Sequence, residues 1–269
     1  MKIFITGGTG FIGSRVTKEL KKRNHTLHLL SARLANLRAV ERELKKFKPD
    51  CVVHLAWEGL PDYGAQMSAK NLADSTGFLA LLARLGIKKV VATGSCFEYD
   101  TDESSGHWPC VVAKRALREI GKTLMKGSGG TFVWAVPFFV YGSGKPKKSL
   151  IPALIAQARR GEVPVAKNAD AWHDFVYVDD VAHGIVLLTI KRVPSGVYDL
   201  GRGALTRTGD IAATVARVYG LPPEPLRHIR KKGLQANVRM VQKALGWKPR
   251  TTLRQGIKAM VQEEHAKRV

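Results

Sequence analysis

The chain has 269 residues, 45% of them hydrophobic, which is enough to bury a substantial core as one α/β body or as a body with a smaller lobe, and this excludes a disordered chain. Its 44 Lys and Arg against 22 Asp and Glu give a net charge of +22, which favours anionic partners; the basic residues are scattered, however, and read first as solvated faces. No zinc-finger or RNA-binding signature accompanies the charge, so nucleic acid ranks last, behind phosphorylated small molecules.

The opening MKIFITGGTG matches neither a signal peptide nor a membrane span, so a soluble, cytoplasmic protein without membrane association is expected. KIFIT (residues 2–6) is a β-rich run that ends in glycines, and residues 11–23 follow a helical pattern. LHLLS (27–31) predicts a second strand, 37–47 a basic amphipathic helix and CVVHLA (51–56) a third strand. Near-continuous apolar strands alternating with helices indicate a parallel sheet covered on both faces. The alternation continues with a helix over 67–85, a strand over 88–94, a helix over 111–124 whose first turn opens near Pro109, and a strand over 131–136. After Gly142 the texture changes to the loop GSGKPKKS and then a helix over 150–160. The lobe boundary is placed there, giving a body of residues 1–142 and a substrate lobe of 143–269. HDFVYV and GVYDLG read as strands that return part of 172–202 to the body, and the C-terminal stretch is mainly helical, with 253–265 the clearest segment.

TGGTGFIG places Gly7, Gly10 and Gly13 after the first strand and at the opening of a helix. Glycines let the backbone turn tightly and approach a pyrophosphate, whose charge meets amide groups and the positive end of the helix dipole. Gly7, Thr9, Gly10, Phe11, Ile12 and Gly13 are therefore the expected dinucleotide cradle of a Rossmann-type, doubly wound sheet. The second strand runs out through Leu30, Ser31, Ala32 and Arg33, with no local Asp or Glu to bond a ribose 2′-hydroxyl. Ser31 and Arg33 suit a 2′-phosphate instead, so NADP is preferred over NAD. Three cysteines, Cys51, Cys96 and Cys110, show no metal-binding spacing and an odd count; reduced thiols and no metal are expected.

GGTGFIG, PDCVVHLAW (49–57), Asn71, GSCFEY (94–99), AKRALRE (113–119), FVYG (139–142), HDFVYVDDVA (173–182) and ALGWKPRTTLRQGI (244–257) occur in series. Together they resemble the extended short-chain dehydrogenase/reductase family, the NAD(P)-dependent epimerases, dehydratases and 4-keto reductases of nucleotide sugars, essentially end to end. The resemblance implies a Rossmann body with a C-terminal lobe that closes over a nucleoside diphosphate sugar, and a homodimer through the helices near 72–85 and 111–124, whose apolar faces equally suit the core. It implies that Asn36 and Leu37 lie near the adenine, that His54, Leu55, Ala56 and Pro137 line the cofactor cleft, and that Asn71 supports the nicotinamide side. Ser95 would bond the sugar oxygen undergoing redox change, and Lys114 would hold the nicotinamide ribose while lowering the pKa of a neighbouring acid. Taken singly, His54 and Asn71 read as satisfied interior groups and Ser95 as a strand-end cap; the collinear series favours contact.

In active members a tyrosine stands four residues before that lysine and serves as general acid/base. This chain has Cys110 there. A cysteine beside a lysine can have a lowered pKa and exchange protons near neutrality, but its sulfur sits roughly 3 to 4 Å nearer the backbone than a phenol oxygen. A bridging water, Tyr99, Tyr141 or Glu98 are the candidate substitutes. Val136 and His173 also stand where the family often has arginine, and the loop between Tyr99 and Cys110 is short. Two readings follow: an NADP-preferring enzyme that reduces or epimerises a nucleotide sugar with Ser95, Cys110 and Lys114, or an impaired member that keeps the dinucleotide as a sensor or assembly partner.

Overall fold

The computed structural model describes residues 1–146, 148–225 and 232–266. In chain order the elements are β1 (Lys2–Thr6), α1 (Phe11–Lys22), β2 (Thr26–Leu29), α2 (Leu37–Phe47), β3 (Cys51–His54), α3 (Ala65–Arg84), β4 (Lys89–Thr93), a 3-10 turn (Cys96–Tyr99), α4 (Trp108–Gly127), β5 (Thr131–Pro137), β6 (Phe139–Tyr141), α5 (Leu150–Arg159), β7 (Trp172–His173), β8 (Phe175–Tyr177), α6 (Val178–Ile190), β9 (Gly196–Leu200), β10 (Thr206–Arg207), α7 (Thr208–Val218), α8 (Arg239–Leu245) and α9 (Leu253–Ala266). Six strands form one sheet in the order β2-β1-β3-β4-β5-β9, every pair parallel. Strands β10 and β7 pair antiparallel and β6 and β8 pair parallel, outside that sheet.

Alternation along each central strand explains the layers. Ile3 and Ile5 face one apolar cluster with Val53, Val91 and Val133, under α1 and α6, while Phe4, Val52, Val90 and Trp134 face the other, under α2, α3 and α4. Helix α4 shows the matching 3.6 period: Cys110, Ala113, Lys114, Leu117, Gly121 and Met125 make its buried stripe, and Pro109 sits in its first turn, where a missing amide costs nothing. The apolar faces of α3 and α4 belong to this core, with Phe78, Leu79, Leu82 and Leu117 buried in it. A third cluster, built from Tyr141, Ile151, Ile155, Val178, Ile211 and Ile257, joins α5, α7 and α9.

One departure from the expected elements has a physical cause. Residues 178–190 form a helix in a stretch between HDFVYV and GVYDLG to which the sequence pattern assigns no element. Nine of the thirteen residues of α6 are buried, against α1 and the sheet, and only Asp179 is exposed, so its polar face is too narrow to mark a helical period. Of the two stretches expected to return as strands, GVYDL forms β9, the sixth strand of the main sheet beside β5, whereas HDFVYV gives β7 and β8, which pair outside that sheet. The chain reverses across β1, with β2 on one side and β3 on the other, and such a switch point leaves a crevice beyond the carboxyl ends of β1 and β3.

Candidate active site

The glycine turn lies at that crevice. Gly7 has φ +69°, and a Cβ there would stand 2.7 Å from the Ala56 amide nitrogen at the end of β3; a methyl at Gly13 would collide with the Gly7 carbonyl oxygen. The turn thus packs backbone on backbone, as a close-approaching diphosphate requires. Gly10 caps α1 without a side-chain bond and no acid occupies the first turn, so the helix presents free amides and a positive dipole end. Thr9 and Gly10 face solvent, and Phe11 and Ile12 pack on the third cluster. Lys145 crosses from the loop after β6 and holds its Nζ 4.9 Å from the centre of the Phe11 ring. These features fit a pyridine dinucleotide.

At the end of β2 the structure corrects the sequence reading. Glu43, from α2, brings its carboxylate there. It accepts from the Ser31 hydroxyl at 2.8 Å, the Ser31 and Ala32 amides at 3.3 and 3.2 Å, and pairs with His28 at 2.7 Å. Despite partial burial, these bonds hold the Glu43 carboxyl below its ordinary range. An acid therefore does stand where none was expected, and the Ser31 O–H is already committed to it. Arg33 is exposed, Asn36 caps α2 by accepting from the Ala39 amide at 3.1 Å, and Leu37 follows at the first helical position.

The end of β3 is drier. His54 is buried with Nδ1 2.7 Å from Thr6 Oγ1 and no partner for Nε2 among the described residues. Burial pushes its pKa down to about 3, so the ring is neutral. Leu55 and Ala56 are fixed by β1, their amides donating to the Thr6 carbonyl and hydroxyl. Asn71 spends its side chain on the following loop: it accepts from the Glu58 amide at 2.7 Å and donates to the Glu58 and Met67 carbonyls. Its visible task is to hold that loop.

Ser95 and Lys114 meet at the end of β4. Ser95 opens the 3-10 turn as a capping box, its hydroxyl accepting from the Phe97 amide while its own amide donates to Glu98. Lys114 Nζ donates to the Thr93 carbonyl at 2.8 Å and lies 3.8 Å from the Trp57 ring centre. Burial pulls its pKa down to about 8. Pro137 closes β5.

Cys110 does share a face with Lys114, but its expected activation does not occur. The thiol is 3% exposed, and burial raises its pKa more than Lys114 lowers it. At neutral pH it remains a thiol. The three substitutes are also committed elsewhere. Glu98 accepts from the Ser95 amide, the Trp134 indole at 3.0 Å and Arg118 at 3.1 Å; Tyr99 donates to Asp199 at 2.6 Å; Tyr141 donates to the Thr252 carbonyl at 3.5 Å. Val136 is wholly buried in the core, and His173 stacks on Phe139 at 3.9 Å. Glu43, Trp57 and Lys145 were missed by local reading, since each arrives from a separate segment.

Comparison with known proteins now fixes the family, because residues 3–201 match the NAD dependent epimerase/dehydratase family. The chain belongs to that family. This bears out the expected extended short-chain dehydrogenase/reductase, an enzyme of epimerase and oxidoreductase type on a Rossmann α/β fold. A UDP-glucose 4-epimerase from Mycolicibacterium smegmatis is 26% identical, with 97% of this chain and 98% of that protein covered. Among solved structures, UDP-glucose 4-epimerase from Thermotoga maritima with UDP-glucose superposes with a TM-score of 0.84 at 20% identity over 100% of both chains. The UDP-glucose 4-epimerase of Thermus thermophilus, in complex with NAD, gives 0.81 at 20% identity, covering 98% of this chain and 99% of that one. No helix among the described residues is long and apolar enough to cross a membrane.

Proposed function

We propose that this chain binds a pyridine dinucleotide across the β1–α1 turn and acts as a 4-keto reductase or epimerase of a nucleotide sugar in the cytoplasm. The carrying observation is the contact of Gly7 and Gly13 that brings the backbone tight beneath the uncapped start of α1. On this reading residues 1–142 hold the dinucleotide and 143–269 the sugar nucleotide, with part of 172–202 rejoining the first body. Hydride transfer between nicotinamide and sugar is the chemistry the dinucleotide supplies. Lys114, fixed by Thr93 and Trp57, orients the nicotinamide ribose, and Ser95 bonds the sugar oxygen. Between the two forms of cofactor, Arg33 supports NADP and the Glu43 carboxylate supports NAD; we favour NAD, because an ionised carboxylate beside Ser31 repels a 2′-phosphate.

Calorimetry with NAD, NADH, NADP and NADPH tests the binding half, and absorbance change on adding a 4-keto nucleotide sugar tests the reaction. Absence of heat with all four nucleotides on folded protein would sink the reading. The buried, protonated Cys110 favours one alternative, a sensor or assembly partner that binds without turnover; tight binding with no absorbance change would select it. Pairing of two copies through α3 and α4 is part of the proposal, and sedimentation measures it.

A further inference from the structure

Hydride transfer to a ketone also needs a proton, and none of Cys110, Glu98, Tyr99 and Tyr141 supplies a free donor with suitable reach. The chain has six tyrosines. Tyr99 and Tyr141 are bonded as described, Tyr198 donates to the Pro194 carbonyl at 2.8 Å, Tyr219 packs in the third cluster, and Tyr177, whose hydroxyl has no hydrogen-bond partner among the described residues, is buried in that cluster against Tyr141. Tyr63 differs. It sits in the loop joining β3 to α3, half-buried, and its hydroxyl has no hydrogen-bond partner among the described residues.

The loop is held firmly at both sides. Asn71 clasps Glu58, Gly59 rests on Met67, and the Ser68 hydroxyl donates to the Tyr63 carbonyl at 3.2 Å. The Tyr63 ring meets Phe97 edge-on with centroids 5.9 Å apart, and Phe97 stacks on His107 at 4.1 Å. Phe97 follows Ser95 by two residues, and His107 caps α4 three residues before Cys110. These contacts place the Tyr63 ring against Phe97 of the Ser95 turn and one ring away from His107 at the start of α4.

We propose that Tyr63 is the proton donor and acceptor of this site, reaching from the β3–α3 loop to serve the place that a cysteine at position 110 is too short to serve. The proposal rests on the reading given under Proposed function. In the reducing direction the sugar ketone gains a hydride, with both electrons, from the pyridine nucleotide, which is oxidised. The ketone oxygen gains the Tyr63 hydroxyl proton, leaving an alcohol and a phenolate that water reprotonates. The ionisable groups facing Tyr63 are the thiols of Cys96 on the 3-10 turn and Cys110 on α4, with His107 behind Phe97; α3 offers Met67 and Ser68, and Glu58 and Asp62 of its own loop are exposed. Burial first, and those thiols second, hold the phenol above its ordinary pKa, so at neutral pH it carries the proton that the ketone oxygen needs.

The full chain is compared with Tyr63→Phe, Cys110→Ala and the double variant Tyr63→Phe/Cys110→Tyr, each first checked by circular dichroism and by calorimetry with NAD and NADH. With a UDP-4-keto-6-deoxyhexose, Tyr63→Phe should lower kcat by ~100- to 1000-fold at unchanged dinucleotide affinity. That loss should exceed the loss in Cys110→Ala by at least about tenfold, and the double variant should recover part of it. A second readout needs no turnover. The wild-type ultraviolet pH titration minus that of Tyr63→Phe reports the one phenol, and bound NAD, with its cationic ring, should move it down by about one pH unit. Retained turnover in Tyr63→Phe, an equal loss in Cys110→Ala, or a phenol indifferent to bound NAD overturns the proposal while leaving dinucleotide binding intact. Failure of the wild type to bind any pyridine nucleotide overturns the underlying functional reading instead, and calorimetry separates the two.

Discussion

Lys114 Nζ lies 3.8 Å from the centre of the Trp57 ring while donating to the Thr93 carbonyl at 2.8 Å, so one buried cation ties the loop after β3 to the end of β4. Cation–π contact and a carbonyl offset part of its desolvation, but the pKa of about 8 shows that burial still prevails over 10.5 for an exposed lysine. Between those two values the unfolded chain binds more protons than the folded one, so Lys114 makes stability rise with pH across that window, by about 3 kcal/mol in all. Lys114→Met should flatten this slope in chemical denaturation and cost roughly 100-fold or more in turnover. An unchanged slope would show that the lysine is hydrated in solution.

His54 titrates with the same sign at lower pH. Its pKa is pushed from 6.5 to about 3, so the unfolded ring protonates first as pH falls, and the protein loses a few kcal/mol of stability from about pH 6.5 downward. His54→Gln should retain more stability than wild type between about pH 6 and pH 4, measured as denaturant midpoints.

Gly13 is a packing test of the dinucleotide cradle. A methyl there meets the Gly7 carbonyl, a rigid backbone atom, so Gly13→Ala should cost about 1–3 kcal/mol of stability and abolish measurable dinucleotide heat. Gly86→Ala meets no atom but carries φ +70°, so it should lose stability through strain while binding normally.

Glu43 should govern the choice between cofactors. Removing its charge in Glu43→Gln should tighten NADP roughly tenfold relative to NAD. Competition calorimetry measures the ratio, and an unchanged ratio would free the carboxylate of any role in selection.

The frame was legible from local pattern. The helix over 37–47 matches α2 end for end, and KIFIT, TGGTGFIG and the apolar runs announce β1, the turn and the central strands. Glu43 was illegible beside Ser31 because twelve residues separate them and only the return of α2 over the sheet brings them together. The state of Cys110 was hidden for a related reason. Spacing on a helix shows that a thiol neighbours an ammonium, whereas the depth of both in the core decides which effect wins. Tyr63 lies in a loop with no periodicity, and its relation to Phe97 exists only after β3 and β4 have paired.

The position of β9 has a practical consequence for recombination. Its hydrogen bonds complete the flank of β5, yet in the chain it follows β6, α5, β8 and α6. Exchange of residues 143–269, the segment proposed to hold the sugar nucleotide, with that of a relative therefore cannot use a single crossover; a functional chimera needs two junctions, so that Gly196–Leu200 stays with the host sheet whose register it matches.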